Sequence, residues 1–242
     1  MRLPLLENLL GTVGPEQQKR LHQCLRRLSR PAWLGSIRRT TPLSDRYGYD
    51  RGSPVDRYYI ESFLEDHRQD IHGRVLEVKD SGYIDRYRMN IERRDVLDID
   101  PTNQHATIVA DLAAADAIPS NSFDCFVLTQ ALQFIYDTRA AIFHIHRILR
   151  SGGVLLATVP AVGRVVPQDG LTDYWRFTAI SCSALFGQVF GGEHIIVRSY
   201  GNVLTSIAFL IGMAREELSR GELDANDEYF PLIITVRAVK QQ

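Results

Sequence analysis

Several acidic and amide side chains in the middle of the chain have the types and spacing to hold a nucleoside. The stretch RVLEVKDSGY, Arg74 to Tyr83, delivers Glu77 into a turn whose one glycine is Gly82. The run DVLDIDP then ends in Asp100, 23 residues after Glu77. A carboxylate there is placed to accept hydrogen bonds from two ribose hydroxyls, although a turn aspartate ahead of Pro101 reads the same way. Next, ATIVADL sets Asp111 just past a short strand, where it could accept from an adenine amino group. In FDCFVLTQALQFI, a buried run gives way to the polar pair Thr129 and Gln130. Each residue alone is weak evidence, and the order and spacing together are far more specific.

These residues need a sheet to bring them together. Val75, Leu76 and Val78, bounded by Gly73 and the Asp80-Ser81-Gly82 turn, read as a central parallel strand. In open α/β sheets, ligands bind outside the carboxyl ends of such strands, so residues 77 to 83 are the expected seat. Further strands are expected at Asp95 to Ile99 with Asp100 closing the run, at Ala106 to Val109, at Phe123 to Thr129 and at Val154 to Val159. A helix is expected over Thr138 to Leu149, with the Gly152-Gly153 pair as a left-handed cap after it. Strand and helix alternation of this kind means βαβ units and a mostly parallel sheet. Beyond it come a helix at Ser181 to Phe190, a strand at His194 to Ser199, a helix near Leu204 to Leu218 and a last strand at Leu232 to Val239, inserted antiparallel. Ahead of the sheet, Ser53 is the expected N-cap and Pro54 the first residue of a helix that buries Val55, Tyr59, Phe63 and Leu64 and leaves Arg57 off the stripe.

Bulk properties narrow the function classes. A chain of 242 residues, 45% hydrophobic, can bury a proper core. A net charge of −1 disfavours nucleic acid as a substrate, because that needs a basic excess. Cys24, Cys125 and Cys182 form neither a disulfide framework nor a CxxC metal site, which points to a reducing cytoplasm. Neither a signal peptide nor a membrane span is expected, since no apolar run approaches about 20 residues. His144 and His146, two apart on a helix, point too far apart to share a metal. Residues 1–52 read as a basic helical arm and linker, with Leu21, Leu25 and Leu28 at helical spacing. Its end, 31 to 52, could fold over the site as a lid.

From about residue 54 to 240 the chain resembles the class I S-adenosylmethionine-dependent methyltransferases, type 11-like. The resemblance is strongest to bacterial members found beside or fused to glycosyltransferases. It is carried by PVDRYYIESFL, RVLEVKDSGY, DVLDIDP, ATIVADL, IPSNSFDCFVLTQALQFIYD, RILRSGGVLLATVP, DYWRFT and YGNV. It implies an α/β, Rossmann-like fold over residues 53–242: a seven-stranded, mostly parallel sheet with an antiparallel last strand and helices on both faces. It implies S-adenosyl-L-methionine as cofactor. Glu77 and the turn through Lys79 and Gly82 would hold its amino-acid end, Asp100 the ribose, and Asp111 with Leu112 the adenine, while Thr129 and Gln130 would line the methyl-donor channel. A small-molecule or glycan acceptor, methylated at oxygen, and a glycosyltransferase partner follow from the same resemblance.

The chain departs from that family at Lys79, where glycine usually stands to permit positive φ and close backbone approach. The ammonium could pair with the cofactor carboxylate or repel the sulfonium. Methyl transfer itself needs water excluded, acceptor and methyl held in line and, for a hydroxyl, a base; it calls for no metal. In GRVVPQDGLTDYWRFT, Asp173 is the candidate base, Tyr174 and Trp175 candidates to stack on a sugar face or to line the sulfonium pocket, and Arg176 a candidate for an anionic acceptor. A packed turn in which Asp173 pairs with Arg176 is the alternative for that segment. A catalytically inactive scaffold of the same fold, and a nicotinamide oxidoreductase weakened by the missing GxGxxG, are the competing functions.

Overall fold

Branched and aromatic residues alternating along short runs build one sheet. The computed structural model describes residues 14–18, 21, 35–166 and 172–241. The expected arm helix carried by Leu25 and Leu28, with Lys19, Arg20, Arg26, Arg27 and Arg30, lies outside the described residues, as does 167–171 of the expected substrate wall. The chain divides into two compact units, Met1–Thr41 and Pro42–Gln242. The second begins ahead of the expected boundary after residue 52, because Leu43 and Ser44 donate backbone hydrogen bonds to Ile211 O at 2.7 and 3.3 Å.

Among the described residues the strands are β1 (Gly73–Val78), β2 (Ile91–Asp98), β3 (Ile108–Val109), β4 (Phe123–Thr129), β5 (Leu149–Pro160), β6 (Ile195–Tyr200) and β7 (Ile233–Val239). They form a seven-stranded sheet in the order β3-β2-β1-β4-β5-β7-β6. The pairs from β3 to β5 are parallel, and β7 lies antiparallel between β5 and β6. The α-helices of the second unit, among the described residues, are α1 (Val55–Asp66), α2 (Thr138–Ile148), α3 (Ala179–Phe190), α4 (Val203–Ile211) and α5 (Arg220–Asp224). No helix among the described residues is long and apolar enough to cross a membrane.

The two-residue period of a strand sends neighbours to opposite faces, and both faces are covered. Leu76, Phe126, Leu128, Leu155 and Ala157 pack with Ile142 and Ile145 of α2 and Cys182 and Phe186 of α3. Val75, Cys125, Val127 and Leu156 pack with Val55, Tyr59, Ile60 and Phe63 of α1 and Ala208 and Phe209 of α4. A sheet buried on both sides reads as a continuous apolar run, and these strands do.

Some boundaries differ from the sequence reading for local reasons. The second strand ends at Asp98 and not at Asp100, because the Asp98 carboxylate accepts from Asp100 N at 3.1 Å and from the Asn103 side chain, which turns the chain. Pro54 is the N-cap of α1, with no side-chain cap, and Ser53 instead donates its backbone N–H to Glu216 at 2.9 Å. The helix α2 stops at Ile148, so the glycine pair is no helix cap. Gly152, at φ +77°, bends the start of β5 where its register with β4 shifts. Helix α4 ends early because Gly212 takes the left-handed cap position.

Candidate active site

The carboxyl ends of the parallel strands open into one cleft of about 1780 Å³. That exceeds the roughly 300–1,000 Å³ typical of a site for one small ligand, so the cleft has room for a nucleoside cofactor and an acceptor. Every expected cofactor residue lines it: Glu77, Lys79, Gly82, Asp100, Asp111, Leu112, Thr129 and Gln130. The tertiary fold adds Asp80 and Asp98 to the acidic set.

Glu77 leaves β1 on the face toward α1 and is only 2% exposed. Its carboxylate accepts from the backbone N–H of Tyr83 at 3.2 Å and of Ile84 at 2.9 Å, which closes the turn after the strand. Burial dominates over these two hydrogen bonds and pushes its carboxyl up to about 7. Gly82 N donates to the Asp80 carboxylate at 2.8 Å, the short side chain mimicking a backbone turn. Asp100 faces solvent, and hydrogen bonds from the Thr102 hydroxyl (2.7 Å) and amide (2.8 Å) hold its carboxyl below the usual carboxylate range. Asp111 caps the turn Leu112–Ala114 through one oxygen, on Ala113 N at 2.9 Å, and Leu112 is buried beneath it.

Lys79 sits at φ +75°, a conformation that favours glycine. Its backbone holds the turn, N–H to Leu97 O at 2.9 Å and C=O from the Asn103 side chain at 2.7 Å, while the residue itself is exposed. A left-handed non-glycine residue costs about 1–2 kcal/mol. The Lys79→Gly protein is therefore expected to gain about 1 kcal/mol, read as a higher urea midpoint at unchanged slope. A lower midpoint would mean that side-chain contacts of Lys79 outweigh the strain.

Gln130, at φ +49°, follows β4 and donates its backbone N–H to Thr158 O at 2.9 Å. Its side-chain Nε2 is buried with no hydrogen-bond partner among the described residues, as are Oε1 of Gln133 and Oδ1 of Asp56, all three on cleft-lining residues. Buried polar atoms left unpaired are costly, and at a cleft wall a bound ligand or an ordered water would satisfy them.

The segment after β5 is organised differently from the expected substrate wall. Asp173 Oδ2 accepts from Val166 N at 3.0 Å and from Arg176 Nη2 at 2.9 Å, and Oδ1 accepts from Arg176 Nη1. The guanidinium holds Asp173 below the ordinary carboxylate range. Both residues are thus engaged with each other, and Asp173 is poorly suited to take a proton. Tyr174 and Trp175 stand half exposed beside Tyr136, with ring centroids 5.2 and 6.1 Å from it, and Trp175 Nε1 donates to Ile135 O and Tyr136 O. Tyr174 and Arg176 line the cleft, as does Tyr136.

Sequence reasoning missed a group supplied from ahead of β1. Tyr47, Tyr49, Asp56, Arg57 and Glu61 line the cleft, so the end of the expected lid forms one of its walls. Arg57 had shown only as a residue off the buried stripe of α1. Arg164 and Tyr83 complete this side, with Arg164 lying 4.4 Å over the ring of Tyr47.

Residues 73–157 match a methyltransferase domain. The matched stretch runs from β1 into β5 and contains the Glu77, Asp100, Asp111 and Gln130 positions. It supports a class I methyltransferase domain, with S-adenosylmethionine as the cofactor. Solved methyltransferases share the fold. A SAM-dependent methyltransferase from Archaeoglobus fulgidus superposes with a TM-score of 0.52 at 12% identity, over 76% of this chain and 94% of that one. The S-adenosylmethionine-dependent methyltransferase from Mesorhizobium loti gives 0.51 at 15%, over 80% and 100%. Phosphoethanolamine N-methyltransferase 2 from Haemonchus contortus, in complex with S-adenosyl-L-methionine, gives 0.50 at 17%, over 83% and 60%. At these identities the likeness is one of fold, and no curated protein matches the chain by sequence.

Proposed function

We propose that the methyltransferase domain transfers a methyl group from S-adenosylmethionine to a hydroxyl of a small molecule or glycan. The observation that carries the reading is the set of carboxylates at the strand ends. Glu77, Asp80, Asp98, Asp100 and Asp111 line one cleft, which suits a cationic nucleoside. The unpaired Gln130 Nε2 in the same wall is a donor awaiting an acceptor atom. When bound, the cofactor supplies an electrophilic methyl on a sulfonium. Asp100 and Asp98 would hold the ribose hydroxyls, Asp111 and Leu112 the adenine, and the Glu77-ordered turn the amino-acid end. Tyr136 and Tyr174 at the rim offer ring faces to a sugar.

A hydroxyl acceptor needs a base, and Asp56 fits that role better than Asp173. Asp56 is 8% exposed, its Oδ1 has no hydrogen-bond partner among the described residues, and burial pushes its carboxyl up. A raised carboxyl is closer to the pKa that efficient proton transfer requires. Asp56→Asn is expected to lower methyl transfer to a hydroxyl by roughly 100- to 10,000-fold while leaving S-adenosylhomocysteine affinity nearly unchanged. Unchanged turnover would remove Asp56 from the chemistry.

Calorimetry with S-adenosylmethionine, followed by incubation of the labelled cofactor with pooled sugars and phenols, tests the reading. A product heavier by one methyl group is expected. No heat at millimolar cofactor with folded protein would leave the inactive scaffold as the better account.

A further inference from the structure

The charges of the cleft are segregated. The strand-end set is acidic, with Lys79 as its cation, whereas the wall from α1, the turn after β1 and the segment after β5 carries Arg57, Arg86, Arg164 and Arg176. Three carboxylates stand among these arginines: Asp56, Glu61 and Asp173. Arg86 pairs with Glu61 at 3.0 Å, which also holds Arg215 at 2.7 Å, and Arg176 pairs with Asp173. Arg57 and Arg164 remain, set against Asp56 alone.

Neither guanidinium is used as a structural clamp would use it. Arg57 donates Nε to Tyr49 Oη at 3.2 Å and Nη1 to Tyr83 Oη; both partners are phenols, and Nη2 has no hydrogen-bond partner among the described residues. It also stands in the first turn of α1, where the helix dipole disfavours a cation, so helix stability does not explain it. Arg164 lays its face on the Tyr47 ring, and its side chain makes no hydrogen bond or ion pair among the described residues. The edge of a guanidinium is the part that forks onto a carboxylate or phosphate. Tyr47 and Tyr49, two residues apart, bring the two arginines to the same wall.

Resting on the methyltransferase reading, we propose that the acceptor is an anion and that Arg57 and Arg164 hold its oxyanion group, a carboxylate or a phosphate. The neighbouring Asp56 faces the hydroxyl of the same molecule.

The test uses the full-length chain saturated with S-adenosylhomocysteine, titrated by calorimetry with glucuronate, glucose 1-phosphate and glucose. At least one anionic sugar is expected to bind at least about tenfold more tightly than glucose, and Arg164→Gln and Arg57→Gln each to lose at least about tenfold, equivalent to about 1.4 kcal/mol. The two anionic arms tell a carboxylate from a phosphate acceptor. Equal affinity for all three sugars, no binding of any, or insensitivity to Arg164→Gln overturns the proposal. Arg57→Gln weakening S-adenosylhomocysteine instead of the sugar overturns the assignment of Arg57. Arg164 is exposed, so its variant decides the matter even if Arg57→Gln does not fold. Failure of S-adenosylhomocysteine to bind the unaltered protein, read first, strikes the methyltransferase reading itself.

Discussion

Glu77→Ala is expected to lower S-adenosylmethionine affinity by at least about 100-fold and to destabilise the fold by about 2–4 kcal/mol. The carboxylate closes the turn after β1 by accepting from Tyr83 N and Ile84 N, and Ile84 is fully buried. Removing it leaves two amides without an acceptor, each costing about 1–3 kcal/mol, and releases the loop that would seat the amino-acid end of the cofactor. Glu77→Gln keeps an acceptor and loses only the charge, so it should fold and bind more weakly. The pH dependence has a definite sign. Burial raises Glu77 to about 7 in the fold from an unfolded value near 4.5, so the folded state holds the extra proton between those limits. Its contribution to stability is fully present below about 4.5 and declines as pH rises to about 7, by at most about 1.4 kcal/mol per pH unit. Urea melts across that window should show this decline in the unaltered protein and a flatter profile in Glu77→Gln. Parallel profiles would mean that Glu77 is ionised throughout. A cationic cofactor favours the carboxylate, so its binding near pH 6 should release a proton, measurable as buffer-dependent heat.

Gly48→Ala should destabilise the wall proposed for the acceptor by about 3 kcal/mol. Gly48 lies at φ +90°, and a Cβ there would stand 2.6 Å from Met213 O. Backbone strain of about 1–2 kcal/mol and an overpacking cost of about 1–3 kcal/mol both apply. Gly152→Ala is the control: φ is +77°, but a Cβ meets nothing within 4 Å, so about 1 kcal/mol of strain is all it should lose. For a chain of this size the pair should separate in melting temperature by roughly 4–8 °C, and equal losses would show that the wall yields freely around residue 48. Since Tyr47 and Tyr49 flank this glycine and line the cleft, Gly48→Ala should also weaken acceptor binding more than cofactor binding.

Much of the fold was legible because both faces of the central strands are buried, which makes Val75-Leu76, Cys125 to Leu128 and Val154 to Ala157 continuous apolar runs with little ambiguity. The acidic residues at their ends could be placed for the same reason: chain direction in a parallel sheet puts every strand's carboxyl end on one side. Boundaries governed by side-chain turns were less legible. The Asp98 and Asn103 contacts that end β2 early depend on Asn103 reaching back to Lys79 O, a contact across β1 and β2 that no local pattern announces.

Residue types and spacing by themselves determined the α/β class and which acidic residues fall at the strand ends, since both follow from periodicity and chain direction; Lys79 stood out only against the family that the chain resembles. Only the tertiary structure showed which residues share the wall proposed for the acceptor. It tied Asp173 to Arg176, which holds Asp173 below the ordinary carboxylate range and favours Asp56 over it as the proposed base. It also swung residues 47 to 61 against the segment after β5, so that Asp56, Arg57 and Arg164 share one wall. The physical reason is separation along the chain: more than a hundred residues lie between Arg57 and Arg164, and only packing on both faces of the sheet brings them together.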